Sequence, residues 1–69
     1  MEAYRVWHQP LSADRQPRDS THMADVVCVS AKRAVELATK GSKPNKGCHY
    51  VAHSIPSDCI VKSKLITDL

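Results

Sequence analysis

The sequence predicts a single α+β domain, with one helix packed on a mostly antiparallel four-stranded sheet in the order β-β-α-β-β. The chain has 69 residues, which is enough for one small domain spanning residues 1–69. Four segments rich in β-branched residues are separated by residues typical of turns. Between the second and the third segment, apolar residues recur at helical spacing, and the face of a sheet is the simplest place to bury them.

The first two predicted strands are separated by a long polar loop. Residues 3–8 combine aromatic and β-branched side chains, and Pro10 beyond them is expected to stop strand pairing. Residues 23–29 hold an apolar stretch, which predicts a central strand with Asp25 at its edge. The polar residues 11–22 between the strands form a connection long enough to be either mobile or functional.

The helix is predicted over residues 31–40. Ser30 precedes it as the N-cap, because its hydroxyl can accept a hydrogen bond from an unpaired N–H group of the first turn. Gly41 follows as the residue that ends it. The helix carries one apolar stripe, formed by Ala31, Ala34, Val35 and Ala38 and widened by Leu37. The small alanine side chains would allow a close approach to the sheet.

Two further strands are predicted after the helix. Glycine, proline and asparagine mark residues 41–47 as a loop. Residues 48–55 predict the third strand, residues 56–58 a turn, and residues 59–66 the fourth strand. Because so few residues join the last two strands, we expect them to pair as an antiparallel hairpin.

The positive charge is concentrated in the second half of the chain. The net charge of +3 is the sum of −1 for residues 1–29 (three basic, four acidic), +5 for residues 30–64 (seven basic, two acidic) and −1 for Asp68. This excess favours an acidic partner, either a nucleic acid or an acidic protein surface. A solvated face that keeps the protein soluble would show the same excess.

The sequence points to a cytoplasmic protein without a membrane partner. No stretch approaches the roughly 20 apolar residues of a membrane span, and residues 1–9 lack the pattern of a signal peptide. Cysteines occur at positions 28, 48 and 59, and their odd number argues against a complete disulfide framework. We therefore expect free thiols, with Cys28 acting as a small hydrophobic residue.

The sequence favours neither a metal site nor a catalytic site. Cys48, His49, His53 and Cys59 have chemistry suited to zinc, but the Cys-x-x-Cys half of a zinc knuckle is missing. In an extended strand, His49 and His53 would share one face while Cys48 points to the other. No family-specific cysteine motif is present, and the small core leaves little volume for a pocket, so we expect neither a cofactor nor an enzyme.

Basic residues are the main candidates for partner binding. Lysines flank the loop after the helix, and Lys62 and Lys64 are expected to share one face of the last strand. Arg5 and Trp7 share a strand face, although Trp7 is also a candidate for the largest core residue. The aromatic platform typical of single-strand binding is nearly absent. The expected partner-binding residues are Arg5, Trp7, Lys32, Arg33, Lys40, Lys43, Lys46, Lys62 and Lys64.

Residues 26–38, together with Tyr4 and Val6, resemble one family of small phage-encoded anti-CRISPR proteins. In that family a first strand with Ala and Tyr, a polar loop and a second strand lead into a helix that begins Ala-Lys-Arg-Ala, as residues 31–34 do here. The resemblance ends at Gly41. It implies a protein that binds the backbone subunits of a type I CRISPR surveillance complex and blocks hybridisation of target DNA. It also implies that Lys32 and Arg33 contact the partner.

The leading hypothesis is therefore a non-enzymatic inhibitor of anti-CRISPR type that binds a host nucleoprotein complex and covers its nucleic-acid target site. A basic module that binds nucleic acid directly is the alternative. A small zinc-stabilised domain is the second alternative.

Overall fold

One mixed sheet of four strands carries the single helix on one of its faces. The computed structural model describes residues 1–11 and 20–68. Along the chain the elements are β1 (Glu2–Pro10), β2 (Thr21–Cys28), α1 (Ala31–Thr39), β3 (Cys48–Ile55) and β4 (Leu65–Thr67). The strand order in the sheet is β3-β1-β2-β4. The predicted α+β class and the β-β-α-β-β element order are confirmed at this level.

The sheet is mixed, so the prediction of a mostly antiparallel sheet is wrong. β1 pairs antiparallel with both β2 and β3, whereas β2 pairs parallel with β4. The connections explain this arrangement. α1 carries the chain from β2 over to β3 across one face, and residues 56–64 carry it back from β3 to β4. β2, β3 and β4 consequently run in the same direction.

The predicted fourth strand over residues 59–66 and its hairpin with the third strand are wrong. Residues Ser57–Cys59 and Lys62–Lys64 form short 3-10 turns, and only Leu65–Thr67 is a strand. β4 lies beside β2, at the opposite edge of the sheet from β3. A side chain of the sheet, and not pairing with another strand, holds this segment. The Asp25 carboxylate accepts a hydrogen bond from the backbone N–H of Val61. Lys62 and Lys64 therefore do not share a face of the last strand.

The first two strands are longer than predicted. β1 continues through Pro10, and β2 begins at Thr21, within the segment that was expected to be a loop. Of that predicted loop, residues 12–19 lie outside the described residues. The third strand, in contrast, has the predicted bounds.

The helix begins where the sequence predicted and ends one residue earlier. The Ser30 hydroxyl accepts a hydrogen bond from the backbone N–H of Arg33 at 3.1 Å, which confirms the N-cap. The helix ends at Thr39 because Lys40 adopts a left-handed conformation with φ of 54°, and Gly41 continues it with φ of 80°. The chain thus turns away one residue before the expected glycine.

The core between helix and sheet is built from small side chains. Its fully enclosed members are Val6, Ala24, Val26, Cys28 and Ala34. Cys28 is 0% exposed, which agrees with its expected role as a small hydrophobic residue. Trp7 lies on the other face and is only partly buried, so it is not the centre of this core.

The helix is too short to cover its face of the sheet. Its nine residues span about 13 Å at 1.5 Å per residue. The nine residues of β1 span about 30 Å at 3.3 Å per residue. Among residues 1–11 and 20–68, α1 therefore leaves part of this face without helical cover. In the described part of the chain, no helix is long and apolar enough to cross a membrane.

Candidate functional site

Within the described residues, a concave surface of about 300 Å³ lies on the helix-side face near the C-terminal end of β1. Neighbouring strands and the loop after α1 supply its residues. His8 of β1 stands opposite Thr21 of β2 and Tyr50 of β3, so the three side chains share one face. The surface, here called the shelf, is lined by His8, Thr21, Met23, Asn45 and Tyr50.

Two partly exposed aromatic rings form the floor of the shelf. The ring centroids of His8 and Tyr50 are 5.5 Å apart, and the ring planes are tilted by 53°. The backbone N–H of Asn45 donates to Nε2 of His8 at 3.4 Å, which places the loop against the histidine ring. The sequence led us to expect almost no aromatic platform. The pair was missed because the two rings are far apart in the chain and meet only through strand register.

The shelf is bordered by a loop that carries three lysines. The lysine loop, residues 40–47, is exposed along its whole length. Its backbone is anchored near both ends, where the N–H of Ser42 donates to the Thr39 carbonyl at 3.0 Å and that of Leu11 donates to the Gly47 carbonyl at 2.7 Å. Asn45 of this loop lines the shelf, and Lys43 and Lys46 lie within two residues of Asn45 along the chain.

The arginines of the described residues are engaged with carboxylates, whereas the lysines are not. Arg33 pairs with Glu36 at 3.3 Å and with Asp68 at 3.1 Å. Arg5 is bound to Asp25 at 2.9 Å. Within residues 1–11 and 20–68, no lysine lies within ion-pair distance of a carboxylate. The positive charge open to a partner on these residues therefore belongs mainly to lysines.

The predicted basic residues do not form one continuous patch. Lys32 and Arg33 stand in the first turn of α1, and the lysine loop follows its last turn. Lys62 and Lys64 lie in the 3-10 turn before β4, where Nζ of Lys64 donates to the carbonyl of His22 at 2.9 Å. The structure thus presents separate basic regions, of which the lysine loop adjoins the shelf.

The opposite face of the sheet holds a buried ion pair. Asp25 was expected at a strand edge, but it lies within β2 and its side chain is 0% exposed. Arg5 stands opposite it in β1 and donates to both carboxylate oxygens, at 2.9 and 3.1 Å. Arg5 also donates to the carbonyl of Cys59 at 2.8 Å. Arg5, one of the residues expected to bind a partner, thus also ties the segment after β3 to the sheet.

A β-bulge adds His22 to this ion pair. The register shifts between Val6 and Trp7, so that Trp7 stands opposite His22. The shift places His22 on the same face as Asp25, although three residues separate them and a regular strand would put them on opposite faces. Nε2 of His22 consequently lies 2.7 Å from the Asp25 carboxylate.

The surroundings of Asp25 lower its pKa. Burial by itself raises the pKa of this carboxyl, but hydrogen bonds from Arg5, Val61 and His22 outweigh it and lower the pKa from 3.8 to about 2. A carboxyl with a lower pKa in the folded state stabilises the fold above its unfolded pKa. That stabilisation is lost as the pH falls through the folded pKa.

We therefore expect about 2 kcal/mol of stability, present above a pH of about 4, to be lost as the pH falls towards about 2. Urea unfolding at several pH values, followed by Trp7 fluorescence, measures this loss. Asp25→Asn is the control, because it removes the titrating group and should flatten the pH dependence over this range. An Asp25→Asn protein with the same pH dependence as the wild type would contradict the assignment.

A second concavity, of about 230 Å³, lies on the same face as Asp25. It is lined by Trp7, Gln9, Ser20, Val51 and His53. Trp7 packs against His22 with ring centroids 5.3 Å apart, and this contact joins the concavity to the buried ion pair. Trp7 is therefore partly used in packing, and its remaining surface borders this second concavity.

The proposed zinc ligands are not gathered into a site. His49 lies near Gln9, with 3.3 Å between its Nε2 and the amide oxygen, whereas Cys59 lies in a 3-10 turn. Within residues 1–11 and 20–68, no group of three or more His, Cys, Asp or Glu side chains is placed to hold a metal ion. Cys28, Cys48 and Cys59 are free thiols, as expected.

Comparison with protein-family models, with curated proteins and with solved structures finds no match. The residues of the shelf and the lysine loop are therefore the basis for a functional proposal.

Proposed function

We propose that the protein is a non-enzymatic binding protein that docks on a host nucleoprotein complex through the lysine loop and the shelf. The observation that supports this proposal is that the loop lysines are exposed and not paired with carboxylates of the described residues. Lys40, Lys43 and Lys46 are exposed, and within the described residues no carboxylate neutralises them. Lysines presented in this way are suited to polyanions, because each contact with a phosphate releases a bound counterion.

The anti-CRISPR resemblance gives this proposal its specific form. The partner is then a type I surveillance complex, and the protein covers the site at which target DNA hybridises. A protein with a net charge of +3 is attracted to the acidic component of such a complex, which is its nucleic-acid strand. Covering that strand is the most direct way for a small basic protein to keep target DNA out.

Affinity purification tests the proposal. The full-length chain, carrying an affinity tag, is expressed in cells that contain a type I surveillance complex, and the captured proteins are identified by mass spectrometry. We expect Cas subunits together with the guide RNA. Capture without any Cas subunit would contradict the proposal.

A nuclease step distinguishes the proposed docking on a complex from direct binding of free nucleic acid. If Cas subunits remain bound after the unprotected nucleic acid has been digested, the protein recognises the assembled complex. If the captured material contains no Cas subunit before digestion and is lost on digestion, the protein binds nucleic acid directly.

A further inference from the structure

We infer that the shelf binds one unpaired nucleotide of a single-stranded nucleic acid, with its base against His8 and Tyr50 and its phosphates at the lysine loop. This inference rests on the proposed function, because it names the component of the nucleoprotein partner that the site contacts. The shelf lies on the helix-side face and shares no lining residue with the concavity beside Trp7.

The shelf is large enough to receive a base. Its volume of about 300 Å³ lies at the lower end of the range for small-molecule sites, about 300–1,000 Å³. Within the described residues it is a shallow surface concavity and not a deep cleft. A flat group that enters from the side can therefore reach it, while the rest of its chain stays in solvent.

The rings of the shelf are arranged to receive a flat group. Tyrosine and histidine are among the side chains on which unstacked bases pack in complexes with single strands. Because the planes of His8 and Tyr50 are tilted by 53°, the two rings form a corner instead of stacking on each other. A base can stack on one ring and contact the edge of the other. Met23 adds a polarisable thioether at the same surface.

Polar groups for a base and for its phosphates lie beside the rings. The hydrogen bonds of Asn45 within the described residues use its backbone N–H and carbonyl, so its side-chain amide is open to a base edge. Lys43 and Lys46 flank Asn45 in the sequence and are exposed. Positive charge thus lies within two residues of Asn45 along the chain, which suits a ligand whose phosphate lies close to its base.

A single strand fits these features better than a duplex or an acidic protein does. In a duplex the faces of the bases are stacked on one another, so a duplex would engage the lysines and leave the rings unused. An acidic protein would likewise pair with the lysines and leave the rings unused. Only a ligand with exposed flat faces next to its negative charges uses both halves of the site.

The test is the affinity of the full-length protein for a fluorescent oligothymidylate of about ten nucleotides, measured by anisotropy. A duplex of the same length, an abasic oligonucleotide and polyglutamate are the comparison ligands. We expect the wild type to prefer the oligothymidylate over all three. Its affinity should fall steeply between about 50 and 200 mM salt.

Substitutions at one position separate stacking from folding. Tyr50→Ala is expected to weaken oligothymidylate binding by about tenfold or more, because a stacked base is lost. Tyr50→Phe keeps the ring and should bind within about twofold of the wild type. Urea unfolding of both variants shows whether the fold is retained. Where Tyr50→Ala is unfolded, His8→Ala replaces it in the comparison.

The outcomes distinguish this inference from the proposed function. Equal affinity for single strand, duplex and abasic strand, or unchanged binding by Tyr50→Ala, would overturn the inference. Stronger binding to polyglutamate would overturn it in favour of an acidic protein partner. Cas subunits captured by a protein that binds no oligothymidylate would overturn only the inference. Oligothymidylate binding without captured Cas subunits would overturn only the proposed function.

Discussion

Asp25→Ala is expected to lower the free energy of unfolding by about 3–5 kcal/mol, the cost typical of breaking a buried ion pair by removing one partner. The substitution leaves the Arg5 guanidinium without its carboxylate and the N–H of Val61 without its acceptor. Small domains have only about 5–15 kcal/mol in total, so a large part of the stability is lost. Urea unfolding followed by Trp7 fluorescence measures the change, because Trp7 packs against His22 beside the ion pair.

Asp58→Ala is the matched control for this substitution. Asp58 is an exposed carboxylate in the 3-10 turn Ser57–Cys59, and within the described residues it has no ion-pair partner. Its removal should change the free energy of unfolding by less than about 0.5 kcal/mol. If Asp25→Ala and Asp58→Ala had the same urea midpoint, the ion pair would not be what holds the segment after β3 on the sheet.

Reversing the charge of two loop lysines is expected to have the largest effect on binding. Lys43→Glu with Lys46→Glu should weaken binding to the captured complex by about 100-fold or more, because two attractions to phosphate become repulsions. Each reversal changes the charge by two, so the pair takes the net charge from +3 to −1. Surface plasmon resonance on the purified complex measures the affinity.

The control pair is Lys62→Glu with Lys64→Glu, which makes the same change in net charge in the 3-10 turn before β4, outside the lysine loop. We expect this variant to stay within about tenfold of the wild type, since long-range attraction is screened at physiological salt. Equal losses in the two pairs would show that net charge, and not the lysine loop, determines binding.

Local signals were sufficient for the helix and for the third strand. The serine cap and the apolar stripe of α1 act within a few residues of each other, so they can be recognised without knowledge of the tertiary fold. The β3 segment is likewise bounded by Gly47 before it and by Pro56 after it. Both elements were therefore predicted within one residue of their observed ends.

Long-range contacts decided the parts that could not be predicted. Residues 59–66 have the β-branched composition of a strand, but Arg5 and Asp25 bind their backbone and leave only Leu65–Thr67 to pair. The bulge between β1 and β2, which directs His22 towards Asp25, cannot be recognised from composition or periodicity. A buried acid in the middle of a strand could have been suspected from Asp25 itself, because an acid inside an apolar run needs a partner.

The shelf escaped prediction for a related reason. His8 and Tyr50 belong to strands that are separated in the chain by β2 and α1, and they face each other only because of the β1–β3 register. Sequence reasoning located the loop lysines correctly as exposed basic residues. It could not place two aromatic rings beside them.

Hybridisation of labelled target DNA to a purified type I surveillance complex tests the central claim most directly. We expect an excess of the wild-type protein to prevent hybridisation. The variant with Lys43→Glu and Lys46→Glu, added at the same concentration, should leave hybridisation intact. Unchanged hybridisation in the presence of excess wild-type protein would contradict the claim that this protein covers the nucleic-acid target site of such a complex.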